Sequence, residues 1–188
     1  MSNFEQLQLH TERLLLRPLR ETDVPAIFAI RSNPTVMRYH ASLPWPSMDM
    51  AVAMVAQRVA AMKSDEYLCL GVERIEDNAL IGTCTLFHLD AQCRRAEIGY
   101  ELNLEAWGKG YMHEALLALL EYGFSEMALN RVEADIHPDN IGSIKSIERL
   151  GFKKEGHLRE RWIVGDQVSD SAMYGLLRRE WQSTHQVG

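Results

Sequence analysis

The chain has 188 residues, 46% hydrophobic and 24% charged, which is enough to build one domain, residues 1–188, around a full hydrophobic core. Its formal net charge of −6 argues against direct binding of nucleic acid, because neutralising phosphates requires a basic face. The same acidic balance favours a cationic partner such as an amine.

The sequence also indicates where the protein works. Its N-terminus, MSNFEQLQ, is polar and unlike a signal peptide, and no apolar run approaches the ~20 residues of a membrane span. The three cysteines are widely spaced without a C-x-x-C pair, which is typical of a reducing compartment. We therefore expect a cytoplasmic protein with no membrane partner. The histidines show no metal-ligand spacing, so we also expect no metal.

Strand and helix patterns alternate along the first half of the chain. Asp23 followed by Pro25 is typical of a helix start, and prolines at 34, 44 and 46 indicate a loop. The pair Asp77-Asn78 between two β-like runs indicates a hairpin. In chain order we predict a strand at 14–19, a helix after Asp23, a loop at 39–49, a helix at 47–63, and strands at 67–75 and 80–89.

The second half continues with strands and helices in alternation. Gly99 lies inside a strand pattern, where glycine marks either a β-bulge or close packing of neighbouring strands. We predict a strand at 95–102, a helix at 111–127, a strand at 132–136, a helix at 140–150 ended by Gly151, and strands at 157–164 and 171–178. Helices between strands, preceded by a hairpin, predict an α/β or α+β fold with a mixed sheet.

A glycine-containing turn, W-G-K-G-Y-M at 107–112, separates the strand at 95–102 from the helix that follows. Main-chain N–H groups at a helix N-terminus lack partners within the helix, and the helix dipole adds positive potential there. Glycines let a phosphate approach that backbone closely. The turn is neither a P-loop nor a G-x-G-x-x-G fingerprint, because residue 113 is histidine. From spacing alone, a phosphate site and an ordinary helix cap both remain open.

Four segments together carry a family resemblance: AEIGYEL, WGKGYMHEALLALLEYGF, NRVEADIHPDNIGSIKSIERLGFKKEG, and D-x-x-x-Y-x-L-L near the C-terminus. In this order they resemble the GCN5-related N-acetyltransferases, and more narrowly the RimJ/RimL ribosomal-protein branch. The resemblance extends from TERLLLRPL to LLRREW. It implies a mixed, splayed central sheet of about seven strands flanked by helices, with acetyl-coenzyme A (acetyl-CoA) as the acetyl donor.

The resemblance also implies a binding site for the donor. Its diphosphate would be held by the main chain of the turn, at Trp107, Gly108, Lys109, Gly110, Tyr111 and Met112. The sequence departs from the family pattern, Q/R-x-x-G-x-G/A, at Trp107 and Met112. The splayed strand would leave main-chain groups free for the pantetheine arm at Tyr100, Glu101 and Leu102. The same donors would steady a developing oxyanion.

Two residues take catalytic roles by the same resemblance. Glu97 matches a strand glutamate that acts as general base, the alternative being a salt bridge with Arg94 or Arg95. Ser143 matches a serine that hydrogen-bonds the sulfur, the alternative being a first-turn helix residue. Many members use a tyrosine as acid seven residues after the asparagine, here Asn140, but that position is Ile147.

Other residues take supporting roles. Asn140 is predicted to cap its helix and to contact coenzyme A. Glu101 lies in phase with Glu97 on one strand face, where the two carboxylates would suit a cationic acceptor. Trp45 is predicted either to line the acceptor cleft or to anchor its loop in the core.

The pKa values of the candidate amines indicate which of them is the acceptor. An α-amine has a pKa near ~7.8 and a lysine near ~10.4, a gap of about 3.5 kcal/mol in deprotonation. A site with no strong acid suits the α-amine, so we predict direct attack by a protein N-terminus, of ribosomal type, in a ternary complex. A small-amine acetyltransferase, for polyamines or amine antibiotics, and an inactive coenzyme-binding module remain alternatives. The sequence is compatible with a homodimer and does not fix the oligomeric state.

Overall fold

The computed structural model describes residues 4–63 and 67–185. Its centre is one eight-stranded mixed sheet in the order β1-β2-β3-β4-β5-β6-β8-β7. The strands are β1 Leu9–His10, β2 Leu14–Pro18, β3 Leu68–Arg74, β4 Ala79–Asp90, β5 Arg95–Leu102, β6 Arg131–Ile136, β7 Lys153–Val164 and β8 Gln167–Leu177. The helices are α1 Val24–Arg31, α2 Pro34–Met37, α3 Met48–Met62, α4 Tyr111–Ser125, α5 Ile141–Arg149 and α6 Arg178–His185.

The predicted fold class is confirmed, with small differences in the elements. The eighth strand, β1, has only two residues, too few to show a period in the sequence. The predicted closing strands begin earlier than expected, because nearly all of β7 and the first residues of β8 are exposed, so no alternation of buried and exposed residues marks where they start. The four-residue helix α2 and the C-terminal helix α6 were not predicted.

The sheet splays between β5 and β6. These parallel strands pair only from Arg95–Glu97 to Arg131–Glu133, whereas β5 stays paired with β4 up to Leu102. Beyond Glu97, β5 therefore has no strand partner on its β6 side among the described residues. This divergence opens the sheet at the segment that was predicted to receive the pantetheine arm.

The predicted bulge at Gly99 is wrong, since Gly99 pairs in regular register with Thr85. The irregularity lies on the partner strand, between Phe87 and Asp90. A Cβ at Gly99 would lie 3.0 Å from Thr85 Oγ1 and 3.2 Å from Phe87 Cε1. Close packing of the two strands therefore explains this glycine.

Helices cover both faces of the sheet. On α4, a Cβ added to Gly123 would lie 3.2 Å from the Leu86 side chain, so this helix packs on the even-numbered face of β4. From α1, Arg31 reaches Glu101, whose carboxylate also accepts a hydrogen bond from Thr83 on the odd-numbered face. Successive side chains alternate across a strand. The faces toward α1 and toward α4 are therefore opposite. The gap between the splayed ends of β5 and β6 is open to both faces.

A buried ionic cluster fixes the start of α1 to the sheet. Arg17 Nε donates to Glu73 Oε2 at 2.6 Å, and Nη1 and Nη2 donate to the Asp23 carboxylate at 2.8 and 2.9 Å. Asp23 also accepts from the main-chain N–H of Arg20. Two strands and the N-terminus of α1 are thereby joined through one guanidinium.

None of the described helices has the length and apolar character needed to cross a bilayer. Within 4–63 and 67–185, no three histidine, cysteine or acidic side chains are grouped as metal ligands.

Candidate active site

A cleft of about 1800 Å³ opens where β5 and β6 splay. Its walls come from both sheet faces, from the segment joining α1 to α3, and from the turn of the β7–β8 hairpin. Several predicted site residues line it together: Glu97, Tyr100, Glu101, Asn140 and Ser143. Residues 46 positions apart in sequence are thus brought to one cavity by the splay, as the resemblance implied.

Glu97 lies at the last paired position of β5, on the face toward α1, with 22% of its side chain exposed. Its Oε2 lies 3.1 Å from Nδ1 of His88. The alternative pairing with Arg95 is not formed, because that guanidinium binds Glu133 at 2.7 Å. A carboxylate that is partly exposed to the cleft and not neutralised by arginine is suited to accept a proton.

His88 is a site residue that sequence reasoning missed. It lies in the irregular stretch between Phe87 and Asp90, with a φ of 50°. A non-glycine residue in the left-handed region is uncommon and carries a conformational cost. The turn of the backbone brings its imidazole onto Glu97, and no sequence pattern signals that conformation.

Glu101 lines the cleft, but its carboxylate is already engaged. The side chain is 2% exposed, and its Oε1 accepts hydrogen bonds from Arg31 Nε at 3.0 Å and Thr83 Oγ1 at 3.2 Å. The predicted contact of this carboxylate with a cationic acceptor is therefore corrected, because α1 brings Arg31 onto it. Its main chain, on the splayed stretch of β5, is unaffected by that pairing.

Trp45 is 8% exposed and belongs to the hydrophobic core, so the structure corrects the prediction that it lines the cleft. The Arg31 guanidinium carbon lies 4.9 Å from the centroid of the indole ring. The main-chain N–H of Trp45 also donates to the main-chain carbonyl of Arg31 at 2.9 Å. The indole anchors its loop and supports Arg31 from beneath, which is the second of the two predicted roles.

Tyr100 and Ser143 form a hydrogen-bonded pair on the opposite face, with 2.5 Å between the two hydroxyl oxygens. Burial raises the pKa of Tyr100 to about 12, although the Ser143 hydrogen bond acts the other way. The phenol therefore keeps its proton at neutral pH. Ile147 is fully buried in the core and has no proton to donate.

Asn140 holds the start of α5, as predicted. Its Oδ1 accepts from the main-chain N–H of Ser143 at 3.2 Å, so the cap fixes the serine that meets Tyr100. The pair and the cap together form one hydrogen-bonded unit from β5 to α5.

The glycine turn has the geometry of a helix N-terminus. Gly108 and Gly110 have φ values of 73° and 80°, and Gly110 is the N-cap of α4. A Cβ on Gly108 would meet nothing within 4 Å, so the backbone conformation selects glycine there. The side chain of Met112 is buried, and this residue can offer a ligand only its main chain.

Two side chains brace the turn. Trp107 Nε1 donates to the Leu102 carbonyl at 2.8 Å, which engages one of the main-chain groups predicted for the pantetheine arm. Arg13 donates through Nη1 to the Lys109 carbonyl at 3.0 Å and through Nε to Glu114 at 2.7 Å. Its guanidinium also lies over the Tyr111 ring. Arg13 was not predicted, since it lies about 100 residues away in sequence.

Comparisons with known proteins agree with this arrangement. Residues 13–153 match the family model described as the acetyltransferase (GNAT) domain. The N-acetyltransferase p20 of Bacillus licheniformis is 35% identical over 92% of this chain and 97% of its own length. A GNAT-family acetyltransferase structure from Bacillus anthracis has a TM-score of 0.83 at 28% identity, covering 93% of this chain and 100% of that one.

The chain therefore belongs to the GNAT acetyltransferases and is an acetyl-CoA-dependent N-acetyltransferase. Relatives of named specificity point to two kinds of acceptor. YdaF of Bacillus subtilis, provisionally named a ribosomal N-acetyltransferase, is 40% identical over 56% of this chain and 58% of its own. A spermidine N(1)-acetyltransferase of Vibrio cholerae is 24% identical over 90% of this chain and 95% of its own.

Proposed function

We propose that this enzyme acetylates the α-amino group of protein N-termini, of ribosomal-protein type, by direct attack on acetyl-CoA in a ternary complex. One observation carries the proposal: Glu97 and the Tyr100–Ser143 pair enter the same cleft from opposite faces of the sheet. A base on one side of a thioester and a hydrogen-bond donor on the other match the two proton requirements of acetyl transfer.

The neutral amine attacks the thioester carbonyl, an N–C bond forms and the C–S bond breaks. The proton of the attacking nitrogen passes to Glu97, directly or through one water, and His88 holds that carboxylate in place. Ser143 donates a hydrogen bond to the sulfur, which departs as the coenzyme A thiolate. The thiolate then takes a proton from solvent while Glu97 releases one, so the products are the acetylated amine and free coenzyme A thiol.

Tyr100 supplies what Ile147 lacks in this scheme. Either hydroxyl of the pair can be the donor. In this scheme the Tyr100 phenol, which stays protonated, donates the hydrogen bond to Ser143 Oγ, and the serine hydroxyl hydrogen is then free to point at the sulfur. In members with the tyrosine acid, one side chain contacts the sulfur and supplies the proton. Here Ser143 on α5 contacts the sulfur, and Tyr100 on β5 donates a hydrogen bond to Ser143.

A covalent acetyl-enzyme is disfavoured by the chemistry of the cleft. Cys69 is the cysteine that lines it within the described residues, and burial raises the pKa of its thiol to about 12. The nucleophilic form of cysteine is the thiolate. A thiol that remains protonated supports direct transfer between the two bound substrates.

The α-amine is the acceptor that this site serves best. At neutral pH about one α-amine in ten is uncharged, compared with a few lysine amines in ten thousand. The polyamine alternative, which the spermidine-acetylating relative supports, needs acidic groups to hold its other ammonium groups. The Glu101 carboxylate would have served that purpose, but it is paired with Arg31.

The role of Tyr100 through Ser143 can be tested by substitution. Tyr100→Phe and Ser143→Ala are each expected to lower kcat by about tenfold, the value of one hydrogen bond to a developing charge, with little change in the KM for acetyl-CoA. Because Tyr100 acts through Ser143, the double variant should be no slower than Ser143→Ala alone. Multiplied effects in the double variant would contradict the relay. Tyr174→Phe, which removes a buried hydroxyl outside the cleft, is the matched control.

The acceptor is tested by release of thiol from acetyl-CoA with N-terminal peptides, spermidine and aminoglycosides. We expect turnover with the peptides. Turnover with spermidine alone would replace the proposed acceptor, and tight binding of acetyl-CoA without turnover on any acceptor would support the inactive binding module.

A further inference from the structure

The wall of the cleft toward α1 and α3 carries arginine side chains, some paired with carboxylates and some not. Arg31 is neutralised by Glu101, and Arg161, at the β7–β8 hairpin, contacts Asp135 at 3.3 Å. Arg58 and Arg38 line the same cleft, but no carboxylate of residues 4–63 or 67–185 forms an ion pair with either. The wall therefore presents unneutralised positive charge.

Arg58 is the better positioned of the two. It is half-buried on α3, and its guanidinium carbon lies 4.0 Å from the centroid of the Tyr67 ring. An arginine stacked on an aromatic face keeps its edge donors free and loses little conformational freedom when it binds an anion. Tyr67 is held in place in turn, since its ring lies 6.1 Å from that of Phe87.

None of the described carboxylates of the cleft forms an ion pair with Arg58. Glu101 and Asp135 are paired with arginines, and Asp170 lies 2.7 Å from His157. Glu97 contacts His88 and keeps the negative charge with which it accepts the proton of the amine. Asp166 lies exposed in the turn of the β7–β8 hairpin. The deep part of the wall is thus left with the guanidinium of Arg58.

An anion bound by Arg58 would not be the diphosphate of the acetyl donor. Tyr67 and Cys69 lie at the α3 side of the sheet, and Cys69 pairs with Thr85 on the face that carries Glu97 and Glu101. The glycine turn begins α4, which packs on the opposite face. A diphosphate at that turn is therefore separated from Arg58 by the sheet, and Arg58 faces the acceptor.

We propose that Arg58, supported by Tyr67, binds a carboxylate side chain of the acceptor, so that the enzyme selects N-termini followed closely by aspartate or glutamate. This inference rests on the proposed function, since it names a subset of N-terminal acceptors. Phe87 and His88 link Tyr67 to Glu97 through successive ring contacts. At about 3.4 Å per extended residue, a carboxylate at positions two to four of the peptide covers that path.

The test uses octapeptides that begin with serine and carry aspartate, alanine or lysine at positions two to four. We expect kcat/KM to favour the aspartate series over alanine by about tenfold through KM, the factor of one hydrogen bond to a charged group. Arg58→Gln should bring that ratio close to one, and Arg58→Glu should reverse it in favour of lysine. Arg159→Gln, an exposed position on β7 outside the cleft, should keep the wild-type ratio.

The outcomes distinguish failure of the role of Arg58 from failure of the proposed function. Equal turnover of the three series, or a preference that survives in Arg58→Gln, overturns the role of Arg58 and leaves N-terminal acetylation standing. Turnover of spermidine with none of the peptides overturns both. If turnover is slow, calorimetric binding of the N-acetylated peptides in the presence of coenzyme A replaces it, and affinity independent of charge overturns the inference.

Discussion

Replacing Glu97 by glutamine is expected to lower kcat/KM by about 10²- to 10⁴-fold, the usual contribution of a positioned general base. Glutamine keeps the shape of the side chain and its contact with His88 but cannot take the proton of the attacking amine. The amine must then lose its proton to water. The wild-type rate depends on both the neutral amine and the carboxylate form of Glu97, whereas the rate of the variant should follow only the neutral fraction of the α-amine, with a pKa of about 7.7–8.0.

The sheet supplies a matched control for this variant. Glu133 lies beside Glu97 in the parallel β5–β6 pair, but its carboxylate binds Arg95 and Arg131 and does not line the cleft. Glu133→Gln should keep near wild-type turnover. A pH–rate profile of Glu97→Gln that superimposes on the wild-type profile would remove Glu97 as the base, whatever the size of the rate loss.

The parts of the site that the sequence predicts are those encoded locally. Gly108 and Gly110 adopt positive φ at the start of a helix, so their role can be recognised from the turn and the helix pattern alone. Asn140 caps α5 across three residues. Strand alternation likewise places Glu97 and Glu101 on one face without further information.

The parts that the sequence does not predict depend on tertiary contacts. Arg31 neutralises Glu101 from 70 residues away, and Tyr100 meets Ser143 across 43 residues. Neither pairing produces a periodic pattern in the sequence from which it could be predicted. Two carboxylates on one strand face suggested a cationic acceptor, yet Glu101 is matched by Arg31, and the cleft also contains Arg58, with which no described carboxylate pairs.

In the fold, too, locally encoded elements were predicted and features that depend on tertiary contacts were not. Seven strands were predicted because buried strands leave apolar runs, and the splay was expected only from the family resemblance. The β7–β8 hairpin was placed approximately, since nearly all of β7 and the first residues of β8 are exposed and show no alternation of apolar and polar residues. The ionic cluster of Arg17, Asp23 and Glu73 was not predicted at all, because charged residues are seldom buried unless they are paired.

Arg17→Met is expected to destabilise the fold by about 3–5 kcal/mol, the loss typical of removing one partner from a buried ionic cluster. The Arg17 side chain is only 4% exposed, and methionine would leave the carboxylates of Asp23 and Glu73 buried without their partner. For a domain of this size the melting temperature should fall by about 6–20 °C. Chemical denaturation and calorimetry measure both quantities.

Two comparisons separate this explanation from a general effect of losing a charge. Lys153→Met removes a mostly exposed partner of Glu180 and should cost less than about 1 kcal/mol. Arg17→Met combined with Glu73→Met removes one of the stranded carboxylates, so the double variant should be more stable than Arg17→Met alone. Further destabilisation in the double variant would mean that Arg17 acts through packing. Because the cluster ties α1 to the sheet, a loosened cluster should also weaken the acceptor wall that Arg31 helps to form.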